Sequence, residues 1–202
     1  APPLYRGCLG DAVQSRCFAV GRVVRCAAAG VGAVATQANA NRTSGRRGLE
    51  LLGQGHAPEE VIRALIGDDP QHPQRQVGIV DASGHAATFT GDATLPWAGG
   101  RTGTHYTVQG NILSGPEVVD TMAEAFEKTG GDLATRMLAA LAAGQQAGGA
   151  ARGRQSAALL VVRGGAGYGG LDDPRVQHRV PDPPTPHPAP PRPLAPPRRP
   201  PP

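Results

Sequence analysis

Thirteen of the chain's 21 prolines fall in one closing stretch, PDPPTPHPAPPRPLAPPRRPPP (181–202). Proline has no amide hydrogen for a ladder, and its ring blocks a continuing helix. A fold must therefore be built from the residues before it. The stretch itself reads as extended and disordered. Three accounts of it stay open: a polyproline ligand for an aromatic groove, an inert tail, and an out-of-frame translation of GC-rich DNA. The last two suit it better, because Ala, Gly, Pro and Arg dominate throughout and Lys128 is the sole lysine against 19 arginines.

The body, residues 10–180, alternates β-rich runs with helical ones and reads as a single domain. DAVQSRCFAV (11–20) and GVGAVATQA (30–38) predict strands. RRGLELLGQG and APEEVIRALIGDD predict two helices. Pro58 suits the first turn of the second, and Glu59 and Glu60 suit its positive dipole end. RQVGIVDASGHAATFTG predicts a hairpin across Asp81–Gly84, and HYTVQGNIL another strand. SGPEVVDTMAEAFEKTGG predicts a helix with Ser114 as cap and Gly130 as stop. Its apolar face is Val118, Val119, Met122, Ala125 and Phe126. GDLATRMLAALAAGQQAGG predicts a second, capped by Asp132, with Leu133, Met137, Leu138 and Leu141 as its stripe. QSAALLVVR reads as a strand buried on both faces. Strands in two groups with helices between them predict a layered α+β or α/β sandwich.

Several function classes are poorly supported. The net charge is +4, and residues 181–202 supply +2 of it through three arginines and one aspartate, leaving +2 on the body. No basic block interleaved with aromatics points to nucleic acid. Cys8, Cys17 and Cys26 are odd in number and spaced nine apart, which gives neither a zinc site nor a disulfide framework. We expect reduced thiols in a cytoplasmic protein, no export signal, no membrane span, and neither metal nor other cofactor. GVGAVA (30–35) and GAGYGG (165–170) imitate nucleotide fingerprints. The first runs into a β-rich stretch, and the second into LDDPRVQHRVP, where Pro174 and Pro181 prevent a long helix. Turn glycines are the better account. Asp172 and Asp173 read as a solvated turn, and the histidines form no H-E-x-x-H.

A different pattern points to a ligand. Glutamines recur inside strand-like runs, at Gln14, Gln37, Gln109 and Gln155, each with small polar neighbours: Ser15 and Arg16, Asn39 and Asn41, Asn111, and Ser156. A single strand glutamine normally faces water. Four similar placements can line one cleft if their strands run side by side. Amides, hydroxyls and a guanidinium suit a small polar ligand bearing a carboxylate, with Arg16 as its anchor. Asn111 or Asn41 could donate to an oxyanion. Alternation puts Gln14 and Arg16 on one strand face and Ser15 on the other, so only part of that trio can face the cleft.

AVQSRCFAVGRVV, AGVGAVATQANAN, RGLELL, RQVGIVDASG, PWAGGRTG, YTVQGNILSG, MAEAFE and RGRQSAALLVVR…GYGG together resemble the bacterial proteins grouped as domain of unknown function 1028, from about Gly10 to Val180. The resemblance implies membership of the N-terminal nucleophile (Ntn) hydrolase superfamily and its four-layer αββα sandwich, two antiparallel sheets between helices. It also implies amide hydrolysis by an N-terminal Thr, Ser or Cys whose own α-amino group is the base. Family members open with a Thr-led strand. Here APPLYRGCLG stands in its place, Pro2 and Pro3 are poor strand material, and Ala1 has no nucleophile. We expect residues 1–9 to be aberrant, and both ends to come from a frame-shifted or truncated gene. Cys17 and Cys26 replace a common Phe and Trp, and Ala150–Ala151 replace an acidic position. Cleavage before Cys8 would expose a thiol, but Cys8 lacks a strand of its own to place it. An inert cysteine is the default.

The expectation is an Ntn-hydrolase-like protein whose relatives hydrolyse an amide in a small polar substrate, itself lacking the nucleophile. The alternative is a non-catalytic ligand-binding or assembly protein on the same fold. Either is expected to form a homo-oligomer.

Overall fold

The computed structural model describes residues 7–22, 24–95, 97–166 and 174–180. The proline-rich stretch, residues 1–6, Asp172, Asp173 and Gly167–Gly170 of the second glycine fingerprint lie outside them. The elements in chain order are β1 (Leu9–Ser15), β2 (Arg25–Ala28), β3 (Gly32–Ala38), α1 (Arg42–Gly53), α2 (Pro58–Gly67), β4 (Arg75–Asp81) and β5 (Ala86–Thr90). There follow β6 (Gly99–Gly103), β7 (Tyr106–Gly110), α3 (Glu117–Lys128), α4 (Leu133–Gln146), β8 (Ser156–Val162) and β9 (Pro174–Val180). The fold is mixed α+β, and every ladder is antiparallel: β2-β3-β4-β5, β1-β8-β9, and the hairpin β6-β7.

Alternation along each strand decides which layer a side chain joins. Val34, Val77 and Ile79 face α1 and α2, and pack with Leu52, Val61, Ile62 and Leu65. Gly48 lets α1 approach closely: a Cβ there would lie 3.2 Å from a Val34 methyl. Tyr106, Val108, Leu159 and Val161 face α3 and α4, and pack with Val119, Ala123, Phe126, Met137 and Ala140. A third cluster, Val13, Val20, Val24 and Ala158 with Ala35 against it, lies where β1 and β8 meet β3. The two larger clusters thus lie against helix pairs, and the third joins β1 and β8 to β3. Each fully buried aliphatic side chain is worth about 2 kcal/mol, so the two helix-facing clusters carry most of the stability.

Helix ends follow the local chemistry. Asn41 Oδ1 accepts from the Thr43 amide at 3.1 Å, and Asp132 Oδ1 from Thr135 at 2.9 Å, both as N-caps. At α2, Pro58 sits at the first turn and Glu60 accepts from the Ala57 amide at 3.1 Å. Ser114 is not a cap. α3 begins at Glu117 behind Pro116, and Ser114 Oγ donates instead to Ala147 O at 3.5 Å. On α4 the buried positions are Ala134, Met137, Ala140 and Gly144, while Leu138 is exposed. Gly144 replaces a larger residue because Met122 of α3 lies 2.5 Å from where its Cβ would be.

The first strand ends sooner than its apolar letters suggest. β1 stops at Ser15, and the chain turns through Arg16–Ala19, leaving Phe18 exposed and Ala19 at φ 53°. β2, β6 and β9 are strands that the sequence reading did not single out. β9 occupies part of the segment that Pro174 and Pro181 keep from being helical. Gly30–Ala35 is a turn entering β3, so no helix N-terminus follows that fingerprint.

Candidate functional site

The structure holds a cavity of about 750 Å³. It is bounded by β1, β3, β4 and β7, with α3 and α4 behind. Gln14, Ser15, Arg16, Gln37, Gln109 and Asn111 line it. Asn41, Gln155 and Ser156 do not.

Strand direction sets what shares an end. Gln37 Nε2 donates to Gln109 O at 3.2 Å, so the C-terminal ends of β3 and β7 meet. The His105 amide donates to Gly84 O in the β4–β5 turn, and Asp81 of β4 pairs with Gly32, so their N-terminal ends meet too. β1 follows β3 in the same sense: Val13 joins the cluster at Ala35, and Arg16 reaches Arg152 beside Ile112. β1, β3 and β7 therefore run in parallel directions. One end of the cavity gathers Arg16, Arg152, Gln37 and Asn111. The other gathers Cys8, Asp81 and His105.

An amide cluster crosses the first end. Gln76 is fully buried. Its Nε2 donates to Thr90 Oγ1 at 2.9 Å, Gly110 O at 2.9 Å and Gly99 O at 3.2 Å. Its Oε1 accepts from Gln37 at 2.8 Å and from Asn111 at 3.3 Å. Thr107 donates to Gln109 Oε1, and the Gln109 side chain lies over Gly78, where a Cβ would come within 2.3 Å of it. Gln37, Gln109 and Asn111 thus come together around a glutamine that the recurrence argument had not counted. The same signal, an amide inside an apolar strand run, marks Gln76 as well.

The remaining candidates have other partners. Gln14 points to α4, donating to Leu141 O at 3.4 Å. Arg16 Nη1 donates to Arg152 O at 2.7 Å at the cavity rim. Ser15 O accepts from the Gln155 amide at 2.8 Å. Ser156 Oγ donates to Cys17 O at 2.5 Å and accepts from Val20 N at 3.0 Å, which staples the turn after β1. Cys8 stands at the far end of β1, about 20 Å from Ser15 at strand rise, so it does not share a site with Asn111.

Asn41 belongs to a polar knot outside the cavity. It caps α1 and donates to Asp69 Oδ2 at 3.2 Å. Asp69 also accepts from Arg75 Nε at 2.8 Å and the Gln71 amide at 2.9 Å. Chiefly the Arg75 hydrogen bond, helped by Gln71 and Asn41 against the cost of burial, brings its pKa down to about 2. Asn41→Ala is expected to cost about 1 kcal/mol in urea unfolding, the usual loss for an N-cap.

Three other titratable groups are shifted by their surroundings. Burial, then the Asp11 charge, raises the Cys26 thiol, which disfavours its thiolate. Burial and the Glu127 hydrogen bond push Tyr106 up to about 12. Burial opposes ionisation of Asp81, yet its bonds from His85 hold it below its ordinary value. No group of three metal-ligating side chains occurs among the described residues, and none of their helices is long and apolar enough to cross a membrane.

No curated protein matches the chain. It is similar to the crystal structure of protein SPO2555 from Silicibacter pomeroyi, itself described as DUF1028. The two are 30% identical with a TM-score of 0.81, over 89% of this chain and 75% of that one. The model of the family described as "Family of unknown function (DUF1028)" matches residues 5–189, starting before β1 and running past β9, and the chain belongs to that family.

Proposed function

We propose that the chain is built on an Ntn-hydrolase-like four-layer sandwich and that its relatives hydrolyse an amide bond in a small polar substrate. The layers would be α1 and α2, then β2–β5, then β1, β8, β9 with β6 and β7, then α3 and α4. One observation carries the reading. β1 and β7 run in the same sense along a shared cavity, so a strand lying antiparallel between them begins at the end lined by Arg16, Gln37 and Asn111. A residue leading such a strand has an amide donor and a guanidinium beside it.

The chemistry such a residue needs is modest. Its α-amino group takes the proton from its own hydroxyl, and the oxygen adds to the substrate carbonyl carbon. Asn111 Nδ2 donates to the oxyanion. The C–N bond breaks as the amine leaves with the proton, and water then hydrolyses the ester. Arg16 holds a substrate carboxylate at the rim. In this reading Cys8 is not the nucleophile, since it stands at the opposite end.

The test compares two versions of the chain extended by a strand-forming segment, one led by threonine and one by alanine, on short carboxamides bearing a carboxylate. Hydrolysis by the threonine-led version alone is expected, with Asn111→Ala lowering kcat about 100-fold. Equal inactivity of both, with a carboxylate ligand still bound, would support the non-catalytic binding reading, which the cavity's size and the Arg16, Gln37 and Asn111 end of it favour.

A further inference from the structure

The amide cluster has a fixed polarity, and it leaves particular atoms over. Gln76 Nε2 faces the carbonyls of Gly99 and Gly110 at 3.2 and 2.9 Å, and a carbonyl can only accept. Gln76 Oε1 therefore points the other way. There it takes one hydrogen from Gln37 Nε2 at 2.8 Å and one from Asn111 Nδ2 at 3.3 Å. Gln37 Nε2 gives its second hydrogen to Gln109 O at 3.2 Å. Both of its hydrogens are used, and Gln37 Oε1 accepts no hydrogen bond among the described residues. Asn111 Nδ2 keeps one hydrogen. The two amides are neighbours because their nitrogens share one oxygen, and both residues line the cavity. One acceptor and one donor thus stand side by side.

We infer that this pair binds a single amide group of a ligand through both of its polar atoms. Gln37 Oε1 accepts the ligand N–H, and Asn111 Nδ2 donates to the ligand carbonyl. Only an amide with N–H and C=O on the same side offers both at once. An ordinary peptide bond is trans and holds them on opposite sides. Primary carboxamides and cyclic amides hold them on the same side. A carboxylate sets an oxygen against Gln37 Oε1, and an ester has no hydrogen to give it, so each leaves that acceptor unsatisfied.

The ligand class is therefore a primary carboxamide or a lactam, with an acid group placed for Arg16 at the same end of the cavity. The pair stands at that end, so the inference holds whether or not a strand fills the space between β1 and β7. It rests on the hydrolase reading only for which bond is cut. On that reading, Gln37 is the residue that turns away peptide bonds and esters.

The probes are succinamate and 2-pyrrolidone-5-carboxylate, an open and a cyclic amide, titrated calorimetrically into the full chain. Saturable binding of at least one is expected, and the tighter of the two says whether the site prefers the open or the cyclic form. N-Methylsuccinamate, which is trans, and monomethyl succinate are expected to bind about tenfold more weakly than succinamate. Gln37→Met should remove that difference, because it deletes the acceptor that reads the N–H. Asn111→Leu should weaken all the succinyl probes alike, because they share the carbonyl. A general loosening of the site would lower every affinity and keep the difference. If Gln37→Met fails to fold, Gln37→Asn withdraws the acceptor by one methylene and gives the same readout. No binding of either amide, equal binding of the methylated amide or the ester, or a difference that survives the loss of the Gln37 acceptor would each overturn the inference. Binding needs no nucleophile. Selective binding of succinamate that the threonine-led version leaves intact would sink the hydrolase reading alone. Hydrolysis of the ester and the methylated amide as fast as succinamate would sink this inference alone.

Discussion

Replacing Gln76 with leucine is expected to lower the unfolding free energy by about 4 kcal/mol. Leucine has a similar size, so the loss is not one of volume. The Gln76 amide satisfies Thr90 Oγ1 and the carbonyls of Gly99 and Gly110, and takes hydrogens from Gln37 and Asn111. All of this happens at a fully buried position. Each buried polar group left without a partner costs about 1–3 kcal/mol, and leucine strands at least two. Urea unfolding with an unchanged m-value is the measurement. A loss below about 1 kcal/mol would mean that water from the cavity takes over the amide's bonds.

Asp69→Ala is expected to cost about 3 kcal/mol at neutral pH. Asp69 and Arg75 are both largely buried, and the substitution leaves the guanidinium without its main partner and Asn41 without its acceptor. The acid dependence separates this from a packing loss. The Asp69 pKa falls from an ordinary 3.8 to about 2 in the folded state. A lowered carboxyl pKa gives stability that is fully present above the unfolded value and is lost as pH falls through the folded one. The gap between wild type and Asp69→Ala should therefore be constant from neutral pH down to about 5 and shrink steadily below about 4. A gap that stays the same as pH falls from about 5 to about 2 would show that the ion pair contributes nothing through its charge.

The sequence made the helices legible because their chemistry is local. Pro58 with Glu59 and Glu60, and Asp132 ahead of Leu133, announce the starts of α2 and α4 within four residues. α3 was legible as a helix but not in its start, because Pro116 forces the first turn and frees Ser114 for Ala147. The edge strands were less legible. β6 is GGRTG, with no apolar alternation to read, and its pairing depends on β7 and on contacts with β5. Exposed Phe18 made β1 look longer than it is, since nothing in the letters shows that Ser156 pins the chain into a turn at Cys17. Of the polar candidates, the recurrence of amides in strands found Gln37, Gln109 and Asn111, which do meet. It also gathered Asn41, whose position ahead of a helix is equally good evidence for a cap. A pattern of residue types cannot say which sheet face a strand presents to which partner, and that choice separates the cavity lining from Ser156 and Gln155.

The β6–β7 hairpin has a consequence for the order of assembly. Its ladder joins no other strand among the described residues, and an isolated two-stranded ribbon is at best marginally stable. It docks through Gln76 on one face and through Tyr106 against Phe126 on the other. Both docking surfaces must exist before the hairpin gains anything by folding. Its amide hydrogens are therefore expected to exchange faster than those of β3 and β4, through a local opening that widens the cavity without unfolding the rest of the chain.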